Sequence, residues 1–247
     1  MLIGFIGSGP VATQLATLFE ASGAKTRLSH RQPPDSFAAA VADADIVVVA
    51  IPYRACVGAL PSLATALRGK VVVDATNPLN EDYSPIVIAG GRSASEEIQG
   101  LLPESRIVKA FNTVFADNMR ADSLHRGDVQ AAAFICGDDA AANQGVVELA
   151  TAAGFDAIDA GPLVHARYLE AMAHLNIALA FGKRTWNARS VCLYILVRLL
   201  RPSSFWRSLQ RGRHRDSLFT PRRAPTEEPP KRDDTPRSRR DAPLRSS

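Results

Sequence analysis

The stretch that decides the fold is residues 2–22, LIGFIGSGPVATQLATLFEAS, in a chain of 247 residues. It begins with an apolar run of strand type, Leu2–Ile6. A G-x-G-x-x-A turn follows at Gly7–Ala12, and apolar residues at helical spacing continue to Ser22. This order predicts a βα unit in which Gly9 lets the backbone approach a pyrophosphate at the helix N-terminus. A glycine turn that serves packing alone is the alternative.

The rest of residues 1–182 alternates β-branched runs with Ala- and Leu-rich stretches. Further strands are predicted at Thr26–Leu28, Ile46–Ile51, Val71–Asp74, Ile107–Ala110, Ala131–Cys136 and Phe155–Asp159. Helices are predicted at Pro10–Ser22, Ser36–Ala42, Arg54–Leu67, Asp138–Ala153 and Leu163–Phe181, and Pro61 is expected to bend or interrupt the third. This alternation predicts an α/β fold, a doubly wound parallel sheet of the Rossmann type covered on both faces. Ligands of such sheets bind at the carboxyl ends of the strands.

Charge divides the chain into an acidic body and a basic tail. Residues 1–182 carry 12 Lys and Arg against 19 Asp and Glu, a net charge of −7, whereas residues 183–247 carry 17 against 6, a net charge of +11. We therefore expect three parts: a Rossmann domain at 1–160, a helical closing element at 161–200, and an Arg/Pro/Ser-rich, disordered tail at 201–247.

Two interpretations of the tail are open. A basic arm would bind nucleic acid or an anionic membrane surface. An out-of-frame extension would carry no selected function, and the composition of 15 Arg and only 2 Lys across residues 183–247 favours this second interpretation. Reading the coding DNA near codon 182 in the other frames would distinguish them.

Cysteine usage and hydropathy disfavour several classes of protein. Cys56, Cys136 and Cys192 form no CxxC pair, so neither a disulfide scaffold nor a metal site is expected. The longest apolar runs, about ten residues, are shorter than the roughly 20 that a membrane helix needs. Because strand-like sequence starts at Leu2, we expect no signal peptide and a cytoplasmic protein.

The residues after the second predicted strand indicate which dinucleotide is bound. An NAD site places an acid there to bind the ribose 2′-hydroxyl. This chain instead has Ser29-His30-Arg31 and no acid before Asp35. Because a hydroxyl and a guanidinium suit a 2′-phosphate, the sequence predicts NADP(H). Arg31 as a solvated loop charge is the alternative.

Several motifs together resemble the NADPH-dependent coenzyme F420 (deazaflavin) oxidoreductase family, which is itself similar to the cytosolic domains of membrane ferric reductases. They are LSHR at 28–31, VVVDATNPL at 71–79, VKAFNT at 108–113 and DAGPLVHARYLE at 159–170. The likeness ends near residue 182, and KRTWNARSVCLY at 183–194 departs from the family's usual ending. The resemblance implies a Rossmann domain with a small closing element, a homodimer, and hydride transfer between NADPH and F420 or a flavin such as FMN.

The resemblance also implies a set of site residues. Those for the pyrophosphate are Gly7, Ser8, Gly9, Pro10 and Val11, and those for the 2′-phosphate are Ser29 and Arg31. Those along the adenosine and ribose are Ala50, Ile51 and Pro52. Those near the nicotinamide are Asn77, Pro78 and Leu79, beside Ala110, Phe111, Asn112 and Thr113.

No certain catalytic residue is predicted. Hydride transfer between two flat rings needs stacking and exclusion of water rather than a nucleophile or a metal. We therefore expect hydride positioning by Asn77, Pro78, Asn112 and Thr113. For the two asparagines, Asx-turn capping of the strand ends is the alternative.

Two other functions fit part of the pattern. A small imine or 3-hydroxyacid reductase would need a large helical second domain and often a catalytic lysine, whereas the body has only Lys25, Lys70 and Lys109. A non-catalytic NADP(H)-sensing module would bind a partner through the tail.

The remaining polar residues of the body receive simpler interpretations. Asp138 and Asp139 are expected to cap a helix, and His174 to lie in the core or an interface. Glu170 is expected to pair with a neighbour. For His165, which with Arg167 could face an acceptor, a role outside the site is the favoured interpretation.

Overall fold

The computed structural model describes residues 1–29, 36–127 and 129–181. The strands of these residues are β1 (Leu2–Ile6), β2 (Lys25–Leu28), β3 (Ile46–Val49), β4 (Val71–Asp74), β5 (Arg106–Lys109), β6 (His125–Arg126), β7 (Val129–Gln130), β8 (Ala132–Gly137) and β9 (Asp156–Asp159). The α-helices are α1 (Pro10–Ala21), α2 (Ser36–Val41), α3 (Tyr53–Leu67), α4 (Ala94–Leu101), α5 (Ala140–Ala152) and α6 (Ala166–Phe181). Short 3-10 turns lie at Ala89–Gly91, Ala116–Asn118 and Leu163–His165.

Within these described ranges, seven strands form one sheet in the order β2-β1-β3-β4-β5-β8-β9. Strands β1 to β5 pair in parallel, as the doubly wound prediction requires. Strand β8 is antiparallel to β5, and β9 is parallel to β8. The sheet is therefore the predicted α/β, mainly parallel sheet, and the pairing of β5 with β8 is its one antiparallel pairing among the described residues. The described part of the connection 110–131 contains a 3-10 turn and the β6–β7 hairpin instead of a crossover α-helix, so the chain re-enters the sheet in the opposite direction.

Apolar side chains cover both faces of the sheet. On one face, Phe19 of α1 and Val146 of α5 pack in a cluster with Phe5 and Val108. On the other face, Leu60 of α3 and Ile98 of α4 pack in a second cluster with strand residues. Strand β3, IVVV, is buried at all four positions, as expected for a central strand covered on both sides.

The strand register aligns the carboxyl ends of the parallel strands in one row. The paired residues along this row are Ile6, Val49, Asp74 and Lys109. The segments that follow each strand therefore emerge at the same edge of the sheet, and these segments hold most of the predicted site residues.

Helices α3 and α4 compare with the sequence predictions in different ways. Helix α3 is not interrupted at Pro61, where interruption was one of the two outcomes expected. Pro61 lies on the exposed side, where the carbonyl that it leaves unbonded can face water. Helix α4 was not predicted, although Ser93 and Glu96 form a capping box at its start, a signal that the sequence RSASEE contains. His30, Arg31 and the whole of residues 182–247 lie outside the described residues.

Candidate functional site

The glycine turn joins β1 to the uncapped N-terminus of α1. Gly7 has a φ of +125°, and a Cβ on it would lie 2.5 Å from the Ala50 carbonyl oxygen, so only glycine fits there. Gly9 is exposed, and a Cβ on it would meet no described atom within 4 Å. Among the described residues, no side chain caps the helix that starts at Pro10. The first-turn N–H groups of α1 therefore face an open cradle of the kind that binds phosphate.

Ser29 is fully buried, and its hydroxyl is committed to the backbone of the first strand and its turn. The hydroxyl donates to the Phe5 carbonyl and accepts from the Gly7 N–H at 3.2 Å. The predicted contact of Ser29 with a 2′-phosphate conflicts with this geometry, because the hydroxyl has no free side towards solvent. Ser29 holds the Gly7 turn in place, and the 2′-phosphate prediction depends on Arg31, outside the described residues.

The segment after β3 lies against the glycine turn. Ala50 and Ile51 are half-buried and approach the position that a Gly7 Cβ would take. Pro52 is exposed and precedes the first residue of α3. The structure thus places Ala50 and Ile51 against Gly7. Pro52 and the turn residues Ser8, Gly9, Pro10 and Val11 follow the paired strand ends Val49 and Ile6.

Asn77 and Asn112 form a reciprocal amide pair across the ends of β4 and β5. Asn77 Nδ2 donates to the Asn112 carbonyl at 2.8 Å, and Asn112 Nδ2 donates to Asn77 Oδ1 at 2.9 Å. Asn112 Nδ2 also donates to the Leu169 carbonyl at 3.0 Å. The two asparagines that the sequence placed at a nicotinamide site are therefore brought together and tied to helix α6.

A strained residue directs Asn112 towards Asn77. Phe111 has a φ of +65°, a left-handed conformation that costs a bulky residue of order 1–3 kcal/mol. Its ring is 1% exposed and packs against Phe19 and Phe155 at centroid distances of 5.8 and 5.4 Å. This packing holds the turn after Ala110, which is itself fully buried.

Several buried polar atoms at these strand ends have no hydrogen-bond partner within the part of the chain that the structure describes. They include Thr76 Oγ1, Asn112 Oδ1 and Thr113 Oγ1. Buried polar groups are nearly always hydrogen-bonded, since an unpaired one costs about 1–3 kcal/mol. Thr76 is next to Asn77 in the chain and Thr113 is next to Asn112, so these unpaired atoms belong to the same two strand ends as the amide pair.

A buried ionic cluster lies directly beneath this pair. Lys109 Nζ is 2.8 Å from Asp74 Oδ2, 2.9 Å from Glu170 Oε1 and 2.8 Å from the Thr76 carbonyl oxygen. Lys109 and Asp74 are fully buried, and Glu170 is 4% exposed. Burial lowers the pKa of Lys109, but the two carboxylates outweigh it and raise that pKa above its usual range.

Glu170 does pair with a neighbour, as expected, but in the middle of the candidate site rather than at its margin. The cluster was not predicted, because Asp74 and Glu170 are 35 and 61 residues away from Lys109 along the chain. A signal was present, since the apolar runs VVVD and IVK each end in a charge of opposite sign and are neighbours in the sheet.

The cluster and its surroundings bind helix α6 to the strand ends. Glu170 Oε2 accepts from the Ala94 N–H at 3.0 Å, at the start of α4. One turn earlier, Arg167 makes a two-pronged contact with Glu96 at 2.7 and 2.8 Å, which holds the pKa of Glu96 at about 2. Near the end of the helix, Asn176 Nδ2 donates to the Thr113 carbonyl at 3.3 Å. Helix α6 therefore closes the end of the sheet where Asn77 and Asn112 lie.

A cavity of about 210 Å³ opens beside Pro78 at this edge. Its lining residues are Pro78, Ile86, Val87, Ile88, Gly91, Arg92, Arg167, Glu170, Ala171 and His174. The predicted nicotinamide residue Pro78 and the buried cluster residue Glu170 thus share one cavity wall. Leu79, the next residue, forms an isolated bridge with Pro85 at the edge of the loop.

The two histidines of this region lie in different surroundings. His174, expected in the core or an interface, is half-buried and lines this cavity. Burial lowers its pKa, and its Nε2 atom has no hydrogen-bond partner among the described residues. His165 bonds the Ala160 carbonyl, packs beside Tyr168 and is not among the cavity residues, so it does not face this site.

The acids and cysteines follow the predictions more closely. Asp139 caps α5 by accepting from the Ala142 N–H at 2.8 Å. Asp138 instead accepts from the Leu163 N–H. Burial raises the pKa of the Cys56 and Cys136 thiols to about 12, so both behave as apolar core residues.

Comparison with known proteins identifies the family of this chain. The model of the family described as NADP oxidoreductase, coenzyme F420-dependent, matches residues 2–78. The F420-dependent NADP reductase of Methanothermobacter marburgensis is 30% identical over 158 residues, which cover 61% of this chain and 69% of that protein. The chain belongs to the F420-dependent NADP oxidoreductase family. This confirms the resemblance that its motifs carry.

Two further known proteins are similar to this chain. Metalloreductase STEAP3 of Rattus norvegicus is 32% identical over 182 residues, which cover 69% of this chain and 36% of STEAP3. A crystal structure from Arthrobacter sp. FB24, described as a candidate F420-dependent NADP reductase, superposes with a TM-score of 0.64 at 28% identity and covers 72% of this chain and 92% of that one. The chain spans about a third of the length of the metalloreductase that it matches. No helix of the described residues is long and apolar enough to cross a membrane.

Proposed function

We propose that this protein is an NADP(H)-dependent oxidoreductase that transfers a hydride between NADPH and a deazaflavin (F420) or flavin-type acceptor. The observation that carries the proposal is the shared sheet edge. The open cradle at Gly9 and the paired amides of Asn77 and Asn112 both follow strands whose ends align in one row. A dinucleotide bound across these strand ends would meet both features.

The residues present fit both the pyrophosphate and the nicotinamide of NADP(H). At Gly9, free helix N–H groups and the partial positive charge of the α1 N-terminus suit a pyrophosphate. At Asn112 and Thr113, the unpaired oxygens suit the carboxamide of a nicotinamide, whose amide group donates hydrogen bonds. Membership of the family supports the same cofactor, and Arg31 is the proposed partner of the 2′-phosphate.

In this mechanism the residues of the chain position the nicotinamide ring, enclose it and exclude water from it. NADPH supplies the hydride when it is bound. Asn77 and Asn112 hold each other in fixed orientations and would keep the nicotinamide ring at one position. Pro78 and the half-buried Ile86 present apolar surface that keeps water from the reacting atoms. Such positioning is where enzymes of this kind gain most of their rate, since the cofactor carries the chemistry.

Steady-state oxidation of NADPH with F420, FMN and ferric complexes as separate acceptors tests this proposal. We expect turnover with F420 or FMN and a preference for NADPH over NADH. Turnover with ferric complexes but with neither F420 nor FMN would show that the acceptor is a metal complex instead of a flavin-type ring. Tight NADPH binding without turnover of any acceptor would favour the sensing module and contradict the enzyme.

We also propose that the protein forms a homodimer through α6. Its outer side exposes Tyr168, Leu175 and Leu179, which share one helix face, with 43–67% of each residue exposed. Apolar residues in a contiguous stripe are typical of protein interfaces. Light scattering should give twice the mass of the chain, and Leu175→Lys should shift it to the monomer. Wild-type protein that scatters as a monomer at micromolar concentration would contradict the dimer.

A further inference from the structure

The buried cluster carries one net negative charge. Lys109 contributes one positive charge, and Asp74 and Glu170 contribute two negative charges. Every hydrogen bond described for the two carboxylates brings a donor to an oxygen, from Lys109 Nζ, Ser95 Oγ and the N–H groups of Thr76, Ala94 and Ser95. Ionised carboxylates, which only accept, have this pattern.

Neighbouring charged groups offset only part of this negative charge. The cavity residues Arg167 and Arg92 form ion pairs with Glu96 and Glu97, so each of these pairs is neutral. The N-terminus of α4 offsets part of the charge through its dipole. Because Lys109, Asp74 and Glu170 are excluded from water, their field is screened far less than that of a surface charge.

The cluster lies next to the residues proposed for the nicotinamide. Lys109 binds the carbonyl of Thr76, the residue before Asn77. Glu170 follows Leu169, whose carbonyl binds Asn112, and it lines the same cavity as Pro78. Each member of the amide pair is thus linked to a cluster residue, Asn77 through its neighbour Thr76 and Asn112 through Leu169, the residue before Glu170.

A nicotinamide ring changes charge when it gives up its hydride. The C4–H bond of the neutral reduced ring breaks, two electrons and one proton leave together as hydride, and the ring becomes a cation. The acceptor forms the new bond to hydrogen and takes up one proton from solvent to complete its reduction. A fixed negative charge beside the ring therefore distinguishes the two redox forms, whereas contacts to the phosphates do not.

Building on the proposed function, we infer that the Lys109–Asp74–Glu170 cluster selects the oxidised, cationic nicotinamide over the reduced, neutral one and so favours NADPH as a hydride donor. The cluster residues are positioning residues that act by charge and touch neither the hydride nor the acceptor. Their effect is measured by the ratio of the dissociation constants of NADP⁺ and NADPH. That ratio is insensitive to a general loosening of the site, which weakens both cofactors together.

The test is calorimetric titration of NADP⁺ and NADPH into wild type, Glu170→Gln and Ser95→Ala. Glu170→Gln removes one negative charge from the cluster, so the ratio of the NADP⁺ to the NADPH dissociation constant should rise about tenfold. Ser95→Ala is the matched control, since it removes the hydrogen bond from Ser95 Oγ to Asp74 Oδ2 but no charge. Its ratio should stay within twofold of wild type.

A second charge variant keeps the test decisive. Asp74→Asn removes the other carboxylate charge and should raise the ratio in the same direction if Glu170→Gln does not fold. A ratio that stays within twofold in the folded charge variant, or that rises equally in Ser95→Ala, overturns the inference and leaves the proposed function standing. Wild-type protein that binds neither cofactor overturns the proposed function itself.

Discussion

The glycine turn and the strand ends of β4 and β5 build one site in opposite ways. The turn is made of the backbone of a few consecutive residues. Gly7 is required there by its φ of +125°, and Gly9 leaves open space above the backbone. The strand ends are made of side chains that come from distant parts of the chain, such as Lys109 with Asp74 and Glu170. Phosphate binding needs N–H groups and room, whereas placing a ring and its charge needs specific side chains held by packing.

The largest expected effect belongs to the side-chain region. Lys109→Met leaves the carboxylates of Asp74 and Glu170 buried without their cation, which typically costs about 3–5 kcal/mol of unfolding free energy. Urea unfolding measures this loss. Lys25→Met, at an exposed position in β2, is the control and should change stability by less than about 0.5 kcal/mol. A loss below about 1 kcal/mol in Lys109→Met would mean that the cluster is not a structural centre.

Two glycine substitutions separate folding from binding within the turn. Gly7→Ala should cost at least about 2 kcal/mol of stability, because its φ is left-handed and the new Cβ meets the Ala50 carbonyl. Gly9→Ala should keep its stability, since Gly9 has an ordinary extended conformation at φ −73° and ψ 179° and open space around it. It should nevertheless weaken NADPH binding about tenfold, because the methyl group enters the space proposed for the pyrophosphate.

Equal effects of the two substitutions on stability would contradict this account of the turn. Unfolding by urea and NADPH titration on the same samples give both quantities.

The contrast between the regions also explains what the sequence could predict. The turn, the parallel strands and Asn77 with Asn112 were predictable because each is signalled by neighbouring residues or by its place after a strand. The buried role of Ser29 was not, because a hydroxyl after β2 suits a phosphate as well as the Phe5 carbonyl that it binds. The Lys109 cluster was missed because only tertiary packing brings its three residues together.

The prediction for cofactor preference comes from the sequence alone. Arg31→Ala should weaken NADPH binding about tenfold, about 1.4 kcal/mol, and leave NADH almost unchanged, because only NADPH carries the 2′-phosphate. Fluorescence titration with both cofactors measures the two changes. An equal loss for NADPH and NADH would remove Arg31 from the site and would leave the glycine turn as the main phosphate contact.

The smallest effect is expected where α6 meets α4. The pKa of Glu96 is lowered to about 2, chiefly by the hydrogen bonds from Arg167. Its contribution to stability is therefore present above the usual glutamate pKa and is lost as the pH falls through about 2. Because the Arg167 side chain is 41% exposed, Arg167→Gln should cost less than about 1 kcal/mol at pH 7.

The difference between Arg167→Gln and wild type should shrink as the pH falls from 4.5 towards 2. Urea unfolding at a series of pH values measures it. A difference that grows on acidification would show that the two residues act through something other than their charges.

The central claim, hydride transfer from a nicotinamide held at the ends of β4 and β5, is tested most directly with NADPH carrying deuterium at C4 on its transferable face. Mass spectrometry of F420 or FMN after a single turnover in ordinary water follows the label. For F420, the account predicts one deuterium retained in the reduced acceptor. For FMN, whose reduced form exchanges its N–H hydrogens, it predicts loss of the label from the nicotinamide at the rate of flavin reduction. Cofactor that is bound by the wild-type protein but keeps its deuterium while every acceptor stays oxidised would contradict it.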